Sequence, residues 1–177
     1  MKKEIKTIIA VIAGSVVFRL LYEKLSFPSG IPGADLSFAY PFLALMAVFF
    51  GPVPGALIGF AGHTAASAGT GFLWNRIIGS ALAGFLTGAF RHKIIGENGR
   101  LKPNWSFSFL YSQLLINALV HGIFVPVGGI ILYKDTPDIV FLQGISAAVS
   151  NMILTVVLGS LALLLYSLVH GGKNKKR

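Results

Sequence analysis

Nine polar or aromatic side chains stand within long apolar stretches of this sequence and carry most of its chemistry. They are Tyr40, His63, Trp74, Asn75, Arg76, Asn117, His121, Gln143 and Asn151. Amides, imidazoles and a guanidinium form directional hydrogen bonds, and the two large rings can stack on a flat molecule. Because polar groups are costly in lipid unless they face a cavity or each other, the set predicts a polar pocket inside a helical bundle.

Several members of this set have an alternative role that spacing alone does not exclude. Trp74 and Tyr40 are equally suited to anchoring helices at a membrane surface. Asn117, like nearby Gln113, can bond a neighbouring helix, and the two histidines can be hydrogen-bonded core residues. The pattern as a whole favours the pocket, because polar side chains from five predicted helices fall at a similar depth.

The arginines leave a further alternative open. Arg76, and Arg19 in the first apolar stretch, either line the pocket or extend to the membrane surface and pair with Glu23 or Asp35. If both line the pocket, they favour a bound molecule with a carbonyl group or a negative charge.

Motifs of enzymes are missing from the sequence. It contains no cysteine and no HExxH, GxSxG or Walker A pattern. Acidic residues are nearly absent from the apolar stretches, which argues against a pump with buried carboxylates. We expect no catalytic residue, metal or cofactor. The alternatives are a small membrane enzyme that uses His63 and His121, and a membrane scaffold without a ligand.

The overall composition predicts an all-α integral membrane protein. Of the 177 residues, 12% are charged and 54% are hydrophobic, and the mean hydropathy is +0.75. Soluble domains carry about 25% charged residues. The predicted helices of the six-helix bundle are 5–24, 38–50, 53–68, 71–90, 105–132 and 139–169. They form a single membrane domain, 1–177, that ends in a basic tail, 171–177.

Basic residues set the predicted orientation. Eleven of the 15 lie in three short polar segments: Lys2, Lys3 and Lys6; Arg91, Lys93, Arg100 and Lys102; Lys173, Lys175, Lys176 and Arg177. By the positive-inside rule these segments and both termini are cytoplasmic. The connections 25–37, 67–72 and 133–138 then face outward. Because the basic residues lie in these segments, the net charge of +9 indicates orientation in a lipid bilayer and does not indicate binding to nucleic acid.

The first apolar stretch has two further features. It has the charge order of a signal peptide, but it continues to Leu21 without a clear cleavage site, so we expect an uncleaved helix. Ala10, Ala13 and Gly14 form a small-residue face that permits close approach of another helix. Such a face either docks on a partner membrane protein or packs inside the bundle.

Three segments resemble substrate-binding (S) components of energy-coupling factor (ECF) transporters, in the riboflavin-type branch. They are IPGADLSFAYPFLALMAVFFGPVPGALIGFAGH, FLWNRIIGSALAGFLTG and FLQGISAAVSNMILTVVLG. The resemblance implies six helices in a bacterial cell membrane, both termini inside, and a pocket near the outer face. It implies a ligand such as riboflavin, hydroxymethylpyrimidine or pyridoxine.

The resemblance also implies partners. A transmembrane scaffold subunit would contact the small-residue face of the first helix, where this chain has Ala10 and Gly14 in place of an AxxxA pair. Two separate ATPase subunits would supply energy, and the whole S component would topple to deliver its substrate.

Overall fold

The computed structural model describes residues 3–31 and 34–171. In chain order its elements are α1 (Lys3–Lys24), β1 (Ser26–Ile31), β2 (Ala34–Ser37), α2 (Ala39–Phe50), α3 (Pro52–Ala66), α4 (Trp74–Ile94), α5 (Trp105–Leu119), a π-helical turn (Val120–Phe124), α6 (Val125–Tyr133) and α7 (Pro137–Gly171). A short 3-10 turn, Ser67–Gly69, follows α3. Residues 172–177 of the predicted basic tail lie outside the described residues.

Three stretches are long and apolar enough to cross a membrane: Glu4–Lys24, Trp105–Tyr133 and Pro137–Val169. Their exposed side chains are largely aliphatic; Ile12 and Leu168, for example, are 63% and 66% exposed. Lipid can solvate such surfaces, whereas water cannot without a large cost. The prediction of a helical membrane protein is therefore confirmed.

Helices α2 and α3 are each shorter than the hydrocarbon core of a bilayer is thick. α2 has 12 residues and α3 has 15. At about 1.5 Å per residue, each is shorter than the roughly 30 Å hydrocarbon core. Pro52 begins α3 directly after Gly51, whose φ of 100° favours glycine.

Glycines bring α3 and α4 into backbone contact. A Cβ at Gly55 would lie 2.6 Å from the carbonyl oxygen of Gly84, and a Cβ at Gly59 would collide with the carbonyl of Ser80. No larger residue fits at these crossings. The contact holds the C-terminal part of α3, including His63, against α4.

The connection 25–37 corrects the all-helical prediction. It forms an antiparallel hairpin in which β1 pairs with β2, with Ser26 opposite Ser37 and Pro28 opposite Asp35. A proline is tolerated because a two-stranded sheet has only edge strands. The hairpin reaches α7, where the hydroxyls of Ser146 and Ser29 are 3.4 Å apart.

The predicted helix 105–132 is interrupted by the π-helical turn. Pro126 follows the turn and has no N–H to donate to a carbonyl in the preceding turn of helix. A π-helical turn accommodates an extra residue in such a place and is frequent at functional sites. Here it carries His121.

The small-residue face of the first helix packs partly against the bundle. Gly14 is buried, and a Cβ there would lie 2.8 Å from Ile58 Cδ1 and 3.2 Å from the methyl carbon of Met46. This glycine therefore packs inside the bundle. Ala10 is half-buried, and only Ala13 of the three is exposed.

Candidate functional site

A cavity of about 130 Å³ lies among α1, the hairpin, α2, α4, the π-helical turn, α6 and α7. The structure brings six of the nine sequence-predicted residues to its wall: Tyr40, Asn75, Arg76, His121, Gln143 and Asn151. They come from α2, α4, the π-helical turn and α7. The fold thus assembles side chains that are distant in sequence around one space.

Three buried side-chain atoms of this wall have no hydrogen-bond partner among the described residues. They are Asn75 Oδ1, His121 Nε2 and Asn151 Oδ1. All three residues are at most 6% exposed. Leaving a buried polar atom unpaired costs about 1–3 kcal/mol, so such atoms are seldom retained for packing alone. Their arrangement around one cavity is suited to binding a polar molecule.

Asn75 is held in place by the segment that follows the π-helical turn. Its Nδ2 donates to the carbonyl oxygen of Val125 at 2.8 Å. Close approach requires Gly128, where a Cβ would lie 2.7 Å from the Cβ of Asn75. α4 and α6 therefore fix this amide, and its other atom, Oδ1, is the one without a partner.

Aromatic rings form another part of the wall. The rings of Tyr40 and His121 meet edge to face with centroids 4.8 Å apart. The Tyr40 hydroxyl is 3.2 Å from the hydroxyl of Ser80, which is 2.6 Å from Nδ1 of His63. The rings of Tyr22 and His63 have centroids 4.6 Å apart. Tyr22 and Tyr40 line the cavity, with His63 behind them.

Charged groups at the cavity are of both signs. The guanidinium of Arg76 lines the cavity together with Tyr22. The carboxylates of Asp35, on β2, and Asp135, before α7, line the same cavity. In the part of the chain that the structure describes, neither carboxylate forms an ion pair with Arg76. The wall thus offers both a cationic donor and anionic acceptors.

Comparisons with known proteins identify the family. The profile of the ECF-type riboflavin transporter S component matches residues 2–168. The chain belongs to this family of S components. The assignment confirms the resemblance of the three segments and makes the protein a membrane subunit of a vitamin transporter, which is a transport role rather than a catalytic one.

Relatives of this S component extend over nearly all of its length. A UPF0397 protein of Enterococcus faecalis is 38% identical over 168 residues, which cover 94% of this chain and 92% of the relative. A UPF0397 protein of Lactobacillus johnsonii is 32% identical over 169 residues, covering 92% and 89%. Both relatives are bacterial.

A solved structure shares the fold. The crystal structure of FolT bound with folic acid has a TM-score of 0.64 and 15% sequence identity to this chain. The match covers 89% of this chain and 96% of FolT. At this identity the likeness supports the architecture of the S component.

Three sequence-predicted residues do not line the cavity of this S component. Trp74 is 46% exposed and stacks on Phe72, with ring centroids 5.8 Å apart. Asn117 is buried and donates to the carbonyl of Gln113 at 2.8 Å. His63 forms the hydrogen bond behind the wall. These placements favour the anchoring and hydrogen-bonding roles left open for such residues.

Two polar alternatives are also resolved. Arg19 is exposed and pairs with Glu23 at 2.8 Å, away from the cavity. Gln113 Nε2 donates to Thr87 Oγ1 on α4 at 3.3 Å, so it bonds a neighbouring helix. Only one of the two candidate arginines therefore reaches the cavity.

Five polar residues of the wall were not predicted from the sequence: Tyr22, Ser26, Asp35, Ser37 and Asp135. All except Tyr22 lie in the outward connections predicted at 25–37 and 133–138. The two aspartates in these connections were a signal that could have identified the connections as part of the site.

Proposed function

We propose that this S component captures a water-soluble heteroaromatic vitamin or vitamin precursor and is the substrate-capture subunit of an ECF-type importer. The ligand class includes riboflavin, hydroxymethylpyrimidine and pyridoxine. The observation that carries the proposal is the convergence of three unpartnered buried atoms, from Asn75, His121 and Asn151, on one cavity. FolT, a protein of the same fold that was crystallised with folic acid, is compatible with a heteroaromatic ligand.

The aromatic part of the wall suits this class of ligand. Tyr22, Tyr40 and His121 present ring surfaces, and amides and charged groups surround them. A flat ring can pack against aromatic side chains while its edge forms hydrogen bonds. A purely aliphatic or purely ionic substrate would use only part of this wall.

We also propose that the protein is multi-pass, with six spans and both termini in the cytoplasm of a bacterial cell. Supporting this, Tyr166 near the end of α7 donates to the carbonyl of Gly99 at 3.0 Å. The end of α7 therefore lies beside the basic connection 95–104, at the other end of the bundle from the hairpin. By the positive-inside rule the cavity then opens to the outside.

Delivery is proposed to follow the family scheme. The chain would dock on a transmembrane scaffold subunit and topple, and two separate ATPase subunits would supply energy. The surface of α1 available for docking contains Ala13 and exposed aliphatic residues such as Ile9, Ile12 and Val16. Gly14 faces inward and supports this surface from within.

Ligand capture is tested by titration of the purified full chain. Of its two tryptophans, Trp74 lies between two cavity residues, Leu73 and Asn75. A Trp105→Phe variant leaves Trp74 as the reporter, and Trp74→Phe is the matched control. Saturable fluorescence change with hydroxymethylpyrimidine or pyridoxine, or saturable quenching of riboflavin's own fluorescence, would support capture. Absence of binding by all three, with no small molecule found by mass spectrometry, would contradict it.

A further inference from the structure

A groove at the end of the bundle away from the hairpin has no part in vitamin capture. Its volume is about 400 Å³, and it lies between the basic connection 95–104 and the end of α7. The residues that line it include Arg100, Lys102, Trp105 and Tyr166. None of its lining residues also lines the cavity described above, so the groove is a separate site.

The basic connection on one side of the groove has an ordered backbone. The Gly96 N–H donates to the carbonyl of Arg100 at 2.8 Å, and the Lys102 N–H donates to the carbonyl of Ile94 at 3.0 Å. Both cationic side chains are exposed. The positive-inside rule requires only that basic residues lie on one side of the membrane. It does not account for two cations held at the edge of a groove.

Two of the stretches that can cross a membrane end at this groove. Trp105 is the first residue of one of them, Trp105–Tyr133. The other, Pro137–Val169, ends two residues after Ser167, which lines the groove. Its neighbour Leu168 is 66% exposed. The groove therefore lies where polar chain meets apolar helix surface, at the depth where tryptophan and tyrosine are enriched in membrane proteins.

The groove is electropositive. Arg100 and Lys102 line it, and no carboxylate lines it among the residues that the structure describes. Glu97 is the one acidic residue of the connection 95–104, and it is not part of the wall. A guanidinium and an ammonium both donate charge-assisted hydrogen bonds to phosphate oxygens. The chemistry of this wall therefore suits a phosphate group.

We propose that the groove binds the phosphate headgroup of an anionic phospholipid, whose acyl chains lie along the exposed apolar surfaces of α5 and α7. Arg100 and Lys102 contact the phosphate, and the ring of Trp105 packs beside the headgroup. A soluble phosphate ester carries the same charge but leaves the neighbouring apolar surface uncovered, which favours the lipid. Binding ties the end of α7 and the connection 95–104 to one leaflet.

Quenching of Trp105 fluorescence by brominated lipid measures this contact. A Trp74→Phe variant leaves Trp105 as the reporter, since the chain has two tryptophans. The full chain is placed in phosphatidylcholine nanodiscs that contain either brominated phosphatidylglycerol or brominated phosphatidylcholine, at equal bromine content. Because bromine quenches at contact, we expect the anionic lipid to quench about twice as strongly as the zwitterionic one.

Charge-removing variants locate the contact. Arg100→Gln combined with Lys102→Gln should abolish the preference for the anionic lipid. The matched control combines Lys6→Gln with Lys93→Gln, which removes the same charge at two exposed lysines outside the groove and should retain the preference. The unfolding temperature of each variant is measured in the same discs. If the groove double variant does not fold, Lys102→Gln alone should still reduce the preference.

Other results would overturn the proposal. Equal quenching by the two lipids, or the same loss of preference in both double variants, would show that the groove does not select an anionic headgroup. Inorganic phosphate and glycerol phosphate are also added, with potassium chloride at equal ionic strength as the control for screening. Displacement of the brominated anionic lipid by either phosphate, but not by the chloride, would assign the groove to a soluble phosphate and reject the lipid.

Discussion

Nδ1 of His63 lies 2.6 Å from the hydroxyl of Ser80, and neither residue lines the cavity. Ser80 in turn contacts the Tyr40 hydroxyl at 3.2 Å. The Gly59 crossing makes this possible, because it brings the α3 backbone against the carbonyl of Ser80. A glycine-packed helix pair thus positions the Tyr40 ring in the wall of the cavity, where this ring also meets the His121 ring edge to face.

Replacing Ser80 by Ala should weaken ligand binding without removing it. The change removes the partner of both His63 and Tyr40 and leaves buried polar atoms unpaired, so the free energy of unfolding should fall by about 1–3 kcal/mol. Ser112→Ala is the matched control, because that buried serine bonds the carbonyl of Phe109 in its own helix. Thermal unfolding and titration of both variants check this. Equal affinity loss in both would contradict a positioning role for Ser80.

Two buried asparagines should respond in opposite ways to alanine. Asn151→Ala removes a carbonyl that has no partner in the described chain, so the unfolding temperature should not fall while ligand affinity drops by about 1–3 kcal/mol. Asn117→Ala removes an amide that bonds the Gln113 carbonyl, so stability should fall while affinity stays constant. Thermal unfolding and titration of the same preparations measure both quantities. Loss of affinity in the Asn117 variant alone would indicate that the ligand binds at Asn117 and not at Asn151.

The sequence predicted which residues share a helix face better than it predicted the boundary of the cavity. Asn117 and His121 are four residues apart and both are buried, as their spacing indicates. However, Tyr40 lines both the cavity and a gap of about 10 Å³ around Asn117. The Tyr40 ring therefore lies between the cavity and this gap. The spacing of residues within one helix does not predict that a ring from another helix lies there.

The outer connections were the least predictable part. Their proline and glycine content predicted a loop, whereas residues Ser26–Ile31 and Ala34–Ser37 pair as strands. Pairing of this kind depends on tertiary contacts with α7 rather than on local propensity. The apolar stretches, in contrast, have a strong local signal, and the three stretches long enough to cross a membrane were predicted from it.

A larger side chain at the α3–α4 crossing should destabilise the whole protein. Gly59→Val would force its side chain into the Ser80 carbonyl and separate the helices, at a cost of about 1–3 kcal/mol or more. Gly69→Val is the control, because a Cβ at Gly69 meets no atom within 4 Å. The amount of folded protein in membranes and the unfolding temperature in detergent are the measurements. A Gly59 variant as stable as the Gly69 variant would show that the crossing tolerates separation.

Substitutions at two adjacent small residues of α1 should have different effects, one on transport and the other on folding. Ala13 is exposed, so Ala13→Trp should leave ligand affinity and unfolding temperature unchanged while reducing uptake in cells that contain the scaffold and ATPase subunits. Gly14→Leu should instead lower stability, because its side chain would collide with Ile58. Uptake of labelled ligand by whole cells is compared with binding by the purified chain. Normal uptake by the Ala13 variant would place the docking surface on another helix, whereas loss of both uptake and binding would indicate that Ala13 supports the fold.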